Sequence, residues 1–456
     1  MQVSSAIRDE GRFAIFAALF GLYLVAHHFY LFNGLALDRA GPMIVMLPGA
    51  FLLMLWPFSL PLFVFMSALH LAQTLMALPR GSNHMIMSLF LMLGLVAAYL
   101  HVAVRDRQFA VGTSRYFDTF APLGRWLLII MYFYGTLHKV NTDFLNPLTS
   151  CAVAMWRRFG FPEFIAESSA VHTMTMYGTL VVEATAIILL LTRRFRWWGI
   201  VIGVSFHGFL GFLPPGRIIA YSLLSIVLHS LFLPKDALAR LAGGALGRRL
   251  APLVATPARR AAVILAAMAA ALVLPWAVTW GLLLAAILAF VATYGREPQA
   301  EDAGRRRWLI SGSAAVNLLA VVFFLNGASP YLGFKTGQTI AMFSNLITEG
   351  GRSNHLIVPN LRLFDHQYRV ATVRDTNVPL LAAWSRQGFK LVEFQVLDYL
   401  ERTPGARAEF EVDGTTYTHS ADNPLPAVSN LPPRWLRNLM VFRPVVLESP
   451  RKCDSY

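Results

Sequence analysis

The sequence predicts a polytopic α-helical membrane protein of about 9–11 spans that ends in a small C-terminal extracytoplasmic β-rich domain. The length of its apolar runs, the side on which its basic residues fall, and a change of pattern after Gly327 lead to this reading. The chain has 456 residues, of which 56% are hydrophobic and 14% charged. A soluble chain carries about 25% charged residues. Its mean hydropathy is +0.53. Phe occurs 33 times, as expected where rings anchor interfaces and fill helix contacts.

An apolar run of about 17–25 residues is long enough to span hydrocarbon as a helix. Such runs, some of them short, fall at 13–32, 43–56, 58–78, 85–104, 126–140, 171–192, 197–213, 217–233, 261–275, 277–294 and 308–326. Segment 43–78 is broken at Pro57 and Pro61, and 261–294 at Pro275. Each of these reads as two spans, a kinked span or a re-entrant pair. The first run is full length and is followed by Asn33-Gly34, which reads as a signal anchor rather than a cleaved leader.

The formal charge is +14. It is spread over loops rather than gathered in a patch, so it predicts no nucleic-acid partner. With the N-terminus inside, the inner segments hold 19 Lys and Arg and the outer loops 6. The inner set includes Arg8, Arg105, Arg193, Arg248 and Arg305–Arg307. The outer set is Arg39, Arg80, Lys139, Arg157, Arg158 and Arg217. The positive-inside rule then places the N-terminus and the loop 235–260 in the cytoplasm and the C-terminal part outside. A multi-pass plasma-membrane protein results. Arg outnumbers Lys 34 to 5, which points to a GC-rich bacterial genome and an inner-membrane location.

Residues 1–326 form the membrane domain. Within it, the loop 141–170 carries Trp156, Arg157 and Arg158 beside Phe159 and Phe161, a pattern suited to an interfacial helix. After Gly327 no run reaches membrane length, and alternation takes over at 368–374 and 390–396. Residues 409–418 read as a hairpin turning at Asp413-Gly414. Residues 327–456 are therefore the β-rich domain.

No phosphate loop, dinucleotide fingerprint, zincin motif, paired-cysteine motif or nucleophile elbow is present. ATP-driven transport, zinc hydrolysis and Rossmann redox chemistry lose support. Cys151 and Cys453 have no metal-type spacing; the orientation puts both outside, where pairing is open to them. The adjacent His27 and His28 point about 100° apart on a helix, which disfavours one shared metal or haem. Ionisable groups on spans mark sites or buried pairs; Glu183 in 171–192 is such a group. So are the residues at two span ends: Asn83 and His84, and the run Tyr132-Phe133-Tyr134-Gly135-Thr136-Leu137-His138-Lys139-Val140-Asn141-Thr142-Asp143-Phe144.

These two stretches resemble the horizontally transferred transmembrane (HTTM) family, to which the vitamin K-dependent γ-carboxylase belongs. The family pattern is an aromatic pair, a small residue and Gly, then Lys, an aliphatic, Asn or Asp, and a hydrophobic after an acidic residue. Asn83-His84 matches the carboxylase's His motif at a similar distance from the Lys. Phe206-His207, followed by Tyr221-Ser222-Leu223-Leu224, resembles the next His-bearing helix pair, and Thr339–Asn345 the start of the lumenal β-structure. The resemblance covers 13–235 well and 331–375 loosely. It departs at His138, where the carboxylase has a second Lys, and in the much smaller part that follows the last span.

By this resemblance Lys139 is the base that deprotonates a reduced quinone and His84 assists the carbanion chemistry. Asn83, His138, Tyr134, His207 and Glu183 line the substrate site. The implied enzyme is a carboxylase-like lyase whose cofactor is a lipid-soluble reduced quinone, with no metal expected. Its partners are the bilayer and a quinone or lipid-like substrate. A desolvated Lys at a helix end suits the role, because burial lowers its pKa toward neutrality. A second reading stays open: Lys139 snorkels to water, and the protein is a non-enzymatic accessory or export component with the same fold.

Overall fold

The computed structural model describes residues 5–31, 43–79, 81–214, 218–296, 308–451 and 453. Asn33-Gly34, Arg39, Arg80, Arg217 and Arg305–Arg307 of the readings above lie outside these residues.

The chain is mostly helical. In order it forms α1 (Ser5–Leu31), α2 (Met43–Leu55), α3 (Leu60–Ala77), α4 (Asn83–Asp106), α5 (Thr113–Leu137), α6 (Cys151–Arg157), α7 (Glu163–Ala166) and α8 (Ser169–Leu191). There follow α9 (Arg196–Gly211), α10 (Ile219–Ser230), α11 (Ala237–Gly243), α12 (Ala245–Leu250), α13 (Pro257–Val273), α14 (Trp276–Tyr294) and α15 (Ala314–Leu332).

Among the described residues seven helices are long and apolar enough to cross a membrane, or eight if the bent pair 245–273 is one span. The sequence reading of eleven runs exceeds this for a reason of length. Runs 43–56, 197–213 and 217–233 form helices of 13, 16 and 12 residues, about 18–24 Å at 1.5 Å per residue. That falls short of a hydrocarbon core of about 30 Å. Run 261–275 becomes α13, which qualifies only together with the bent stretch before it.

The chain divides into two compact units, each assembled from separate stretches. The first is 1–76, 87–132 and 182–323; the second is 77–86, 133–181 and 324–456. In the first, α1 packs against α2 and α10. An aromatic core of Phe13, Phe16 and Phe20 on α1, Phe63 on α3 and Phe120 on α5, with ring centroids 5.2–6.2 Å apart, joins these three helices. Arg125 donates to the carbonyls of Leu231 and Trp308 at 2.7–3.0 Å, so backbone carbonyls help to hold a buried cation.

The second unit contains a four-stranded antiparallel sheet of order β2-β1-β3-β4: β1 (Val370–Thr376), β2 (Leu391–Val392), β3 (Ala408–Val412) and β4 (Thr415–His419). Ala371 and Val373 on β1 face Val412 and Phe410 on β3. They bury one face of the sheet against Leu381 of α16 (Pro379–Arg386) and Val396, Leu397 and Leu400 of α17 (Glu393–Arg402). The hairpin forms as read, with Asp413 and Gly414 both at positive φ, 51° and 78°, as a two-residue turn of this hand requires. The strand expected at 390–396 is corrected: Leu391–Val392 pair with β1, Lys390 makes a single bridge to Val445, and Glu393 opens α17. Val392, Phe394 and Val396 alternate, but Leu397 and Leu400 continue at helical spacing, and that longer period prevails. The unit is therefore mixed α and β around its sheet.

Candidate functional site

In the second unit α5 ends at Leu137, and His138-Lys139-Val140 turn away from the helix axis. His138 is fully buried and Lys139 is 7% exposed. Lys139 thus does not reach open water, as a snorkelling Lys would. The His138 ring sits in a row of aromatic groups: Tyr134 at 5.1 Å, Tyr331 at 5.5 Å, and His355 beyond Tyr331 at 5.3 Å. The row requires Gly327 on α15, because a Cβ there would lie 2.2 Å from the Tyr134 ring. With no Cβ in the way, His138 Nε2 also reaches the Gly327 carbonyl at 3.1 Å.

The loop after α15 closes over this row. Asn83, the first residue of α4, accepts the Ile340 amide through Oδ1 at 2.8 Å. His138 Nδ1 faces the Ile340 backbone without closing a hydrogen bond. Gln338 donates to the carbonyls of Pro79 and Gly81, each at 2.7 Å. Gln338, Ile340, Phe343 and Asn345 all have positive φ, 55–65°. This is rare for any residue with a side chain, and for a β-branched one it is strained. Such strain persists only where surrounding bonds over-determine it, and the Asn83 and Gln338 bonds do that here. His84 is partly buried and pairs through Nδ1 with Ser82 Oγ at 2.8 Å.

Asn141 locks the turn below. Its Nδ2 donates to the His138 and Ser344 carbonyls at 2.7 and 2.6 Å, and its Oδ1 accepts the Phe144 amide at 2.8 Å. Farther along, the C-terminal segment delivers two arginines to Glu349, which is fully buried. Arg443 lies 3.5 Å and Arg451 3.9 Å from its Oε1. Burial pushes the Glu349 carboxyl upward; the two guanidinium charges and the Thr348 amide overcome this and leave it below its ordinary value. Cys151 and Cys453 form a disulfide, which resolves the pairing the sequence left open.

The structure therefore gathers Asn83, His84, Tyr134, His138 and Lys139 in one unit. Glu183 and His207 belong to the first unit. There Tyr132 Oη pairs with His229 Nε2 at 3.2 Å, and His229 Nδ1 donates to the Ser225 carbonyl at 2.7 Å. The His207 ring lies 5.4 Å from Tyr132 and 5.3 Å from Tyr221, and Glu183 acts electrostatically on both phenols. Gly203 admits this packing, since a Cβ would fall 2.0 Å from His229 Nε2. His27, His28 and His70 cluster with ring centroids 5.0–6.0 Å apart. Among the described residues no His, Cys, Asp or Glu group has the geometry of a metal site.

Three groups escaped the sequence reading. Tyr331 is buried beside His138, and its hydroxyl has no hydrogen bond among the described residues; it lay beyond the apolar run that ended at 326. Glu349 sits in a Gly-rich stretch that looks like a solvated turn. Lys335 is 5% exposed and has no ion pair or hydrogen bond among the described residues; burial pulls its amine down to about 8. Phe334 just before it, after the apolar end of α15, was the available signal. Comparison with family models, with curated proteins and with solved structures gave no match in any of the three.

Proposed function

We propose that this is a multi-pass membrane enzyme of the HTTM type, carboxylase-like in its chemistry, acting on a lipid-soluble quinol or lipid-like substrate beside His138. In this reading Lys139 is the base that takes a proton from the hydroquinone oxygen, leaving a lysine ammonium and a quinol anion, and His84 is the second catalytic group. The N-terminus and the loop 235–260 are cytoplasmic and the C-terminal domain 327–456 is outside, as the distribution of basic residues supports.

The observation that carries the reading is two buried polar atoms in the aromatic row: Tyr331 Oη has no hydrogen bond among the described residues, and His138 Nδ1 has only the Ile340 backbone facing it. Leaving such groups unpaired costs about 1–3 kcal/mol each, and native folds pair nearly all of them. A planar ligand with a hydroxyl or carbonyl at each end supplies both partners. Lys139, next to His138 in sequence, is buried in the same unit, so its amine lies within the fold.

One observation favours the non-enzymatic reading. The carboxamides of Asn83 and Asn141 are engaged by backbone groups, so the motif also serves as a structural lock. Chromatography and mass detection of lipid extracted from the purified protein test the proposal. A stoichiometric quinone is expected. Lys139→Ala should abolish turnover at normal expression, and Lys139→Arg should not restore it, since Arg cannot act as a base. Absence of any bound quinone, together with unaltered behaviour of Lys139→Ala, would leave the accessory reading.

A further inference from the structure

The segment 352–364 is tied to the ends of two helices. His355 Nε2 donates to the Leu137 carbonyl at 2.8 Å, and the Leu356 amide to the Val140 carbonyl at 3.0 Å. These are the last residues of α5 and the turn that follows it. The Leu361 amide donates to the Tyr331 carbonyl at 2.8 Å, and the Phe364 amide to the Leu332 carbonyl at 3.0 Å. Those two carbonyls close α15. Both helices are among those long and apolar enough to cross a membrane, with 25 and 19 residues. A loop bonded to both ends lies at the depth where they leave hydrocarbon.

Between its anchors the loop turns its apolar side chains outward. Leu356, Ile357, Leu361 and Leu363 are 56%, 70%, 56% and 67% exposed, and Phe364 is 43% exposed. The backbone amides of Leu356, Leu361 and Phe364 are already committed to the helix ends, so the exposure is built in. Five exposed apolar side chains on one short loop mark a candidate interaction site. The stretch from Arg352 to Phe364 contains two Arg and no Asp or Glu, and one of them, Arg362, is stacked over Tyr368 at 4.1 Å. Apolar side chains at headgroup depth beside Arg352 and Arg362 suit the boundary between acyl chains and headgroups.

We propose that the 352–364 loop is an interfacial anchor that inserts Leu356, Ile357, Leu361 and Leu363 into the lipid leaflet at the outer ends of α5 and α15. Lipid is favoured over a soluble partner because the helix ends fix the depth of the loop. The proposal stands whether or not the neighbouring polar cluster is catalytic.

The test uses the full chain, with its disulfide intact, in vesicles of phosphatidylcholine and phosphatidylglycerol. A spin label at Ile357→Cys is read for its accessibility to oxygen, which concentrates in lipid, and to a water-soluble nickel chelate. Thr416→Cys on the exposed hairpin strand serves as the aqueous reference. The label at 357 is expected to be oxygen-accessible and several-fold better shielded from nickel than the label at 416. Nickel accessibility equal to that at 416 would overturn the proposal. Shielding from both reagents would also overturn it, since that reports contact with protein, including a second copy of the chain. Leu363→Cys gives the same reading if Ile357→Cys does not fold.

Discussion

The Asn83 carboxamide and the Ile340 amide, 257 residues apart in sequence, meet at 2.8 Å. This bond holds a β-branched residue at φ 65°, a conformation that costs about 1–3 kcal/mol. The start of one apolar helix thereby fixes the loop that covers His138. Removing the acceptor in Asn83→Ala should lower stability by about 1–3 kcal/mol, read by thermal unfolding in detergent. At Ile340 the usual order of small residues should invert. Ile340→Ala and Ile340→Gly lose similar packing, but only Gly adopts positive φ at no steric cost. The Gly variant is expected to be more stable than the Ala variant by about 1 kcal/mol.

Glu349 should be the acid-sensitive point of the second unit. Its folded pKa lies below its ordinary value because Arg443 and Arg451 outweigh the cost of burial. Its contribution is therefore present above the unfolded pKa and is lost as pH falls through the folded one. Glu349→Gln leaves two buried guanidinium groups without their carboxylate, a change that costs about 3–5 kcal/mol. Unfolding followed from pH 7 down to pH 3 should show a smaller loss of stability in Glu349→Gln than in the parent. A variant of unchanged stability at pH 7 would show that the pair is not held as described.

The disulfide between Cys151 and Cys453 ties the C-terminal tail to the start of α6. Beside it, the Arg451 amide donates to Asp143 Oδ2 at 2.8 Å, and the Arg451 carbonyl accepts from Asn345 Nδ2 at 2.7 Å. One covalent bond thus keeps Arg451 at Glu349. Cys453→Ser should destabilise the protein by about 2–5 kcal/mol, and in Glu349→Gln the same change should cost less, because part of the effect passes through that ion pair. Thiol labelling of the unreduced, denatured parent should find no free cysteine.

How much could be read from the chain beforehand depended on whether the relevant physics was local. The hairpin at 409–418 was legible, because Asp413-Gly414 between alternating runs specifies its own turn. The long helices were legible from apolar length alone. The short helices α2, α9 and α10 were not separable from spans, since a run of apolar residues does not record where the helix inside it ends. At the site, the residues of α4 and α5 stood out because polar groups are costly in apolar runs. Tyr331, Lys335 and Glu349 did not. Their burial comes from contacts with segments far away in sequence, and nothing adjacent to them announces it.

Lys335 offers the sharpest contrast with Lys139. Its amine is buried without an ion pair or hydrogen bond among the described residues, and burial lowers its pKa from 10.5 to about 8. The folded state then releases its proton before the unfolded chain does. Between pH 8 and 10.5 the unfolded state binds more protons, so stability rises with pH across that window. Below pH 8 the full penalty of a buried cation is present, roughly 3 kcal/mol by the size of the shift. Lys335→Met keeps the apolar stem and removes the charge. It should be more stable than the parent at pH 7, by up to that amount, and its stability should no longer climb between pH 8 and 10. Unfolding free energies in denaturant, measured at half-unit steps, decide this. A parallel rise in both proteins would mean that another group titrates there. If Lys335→Met also retains turnover while Lys139→Ala loses it, the buried amine of Lys335 is a structural burden and not the base.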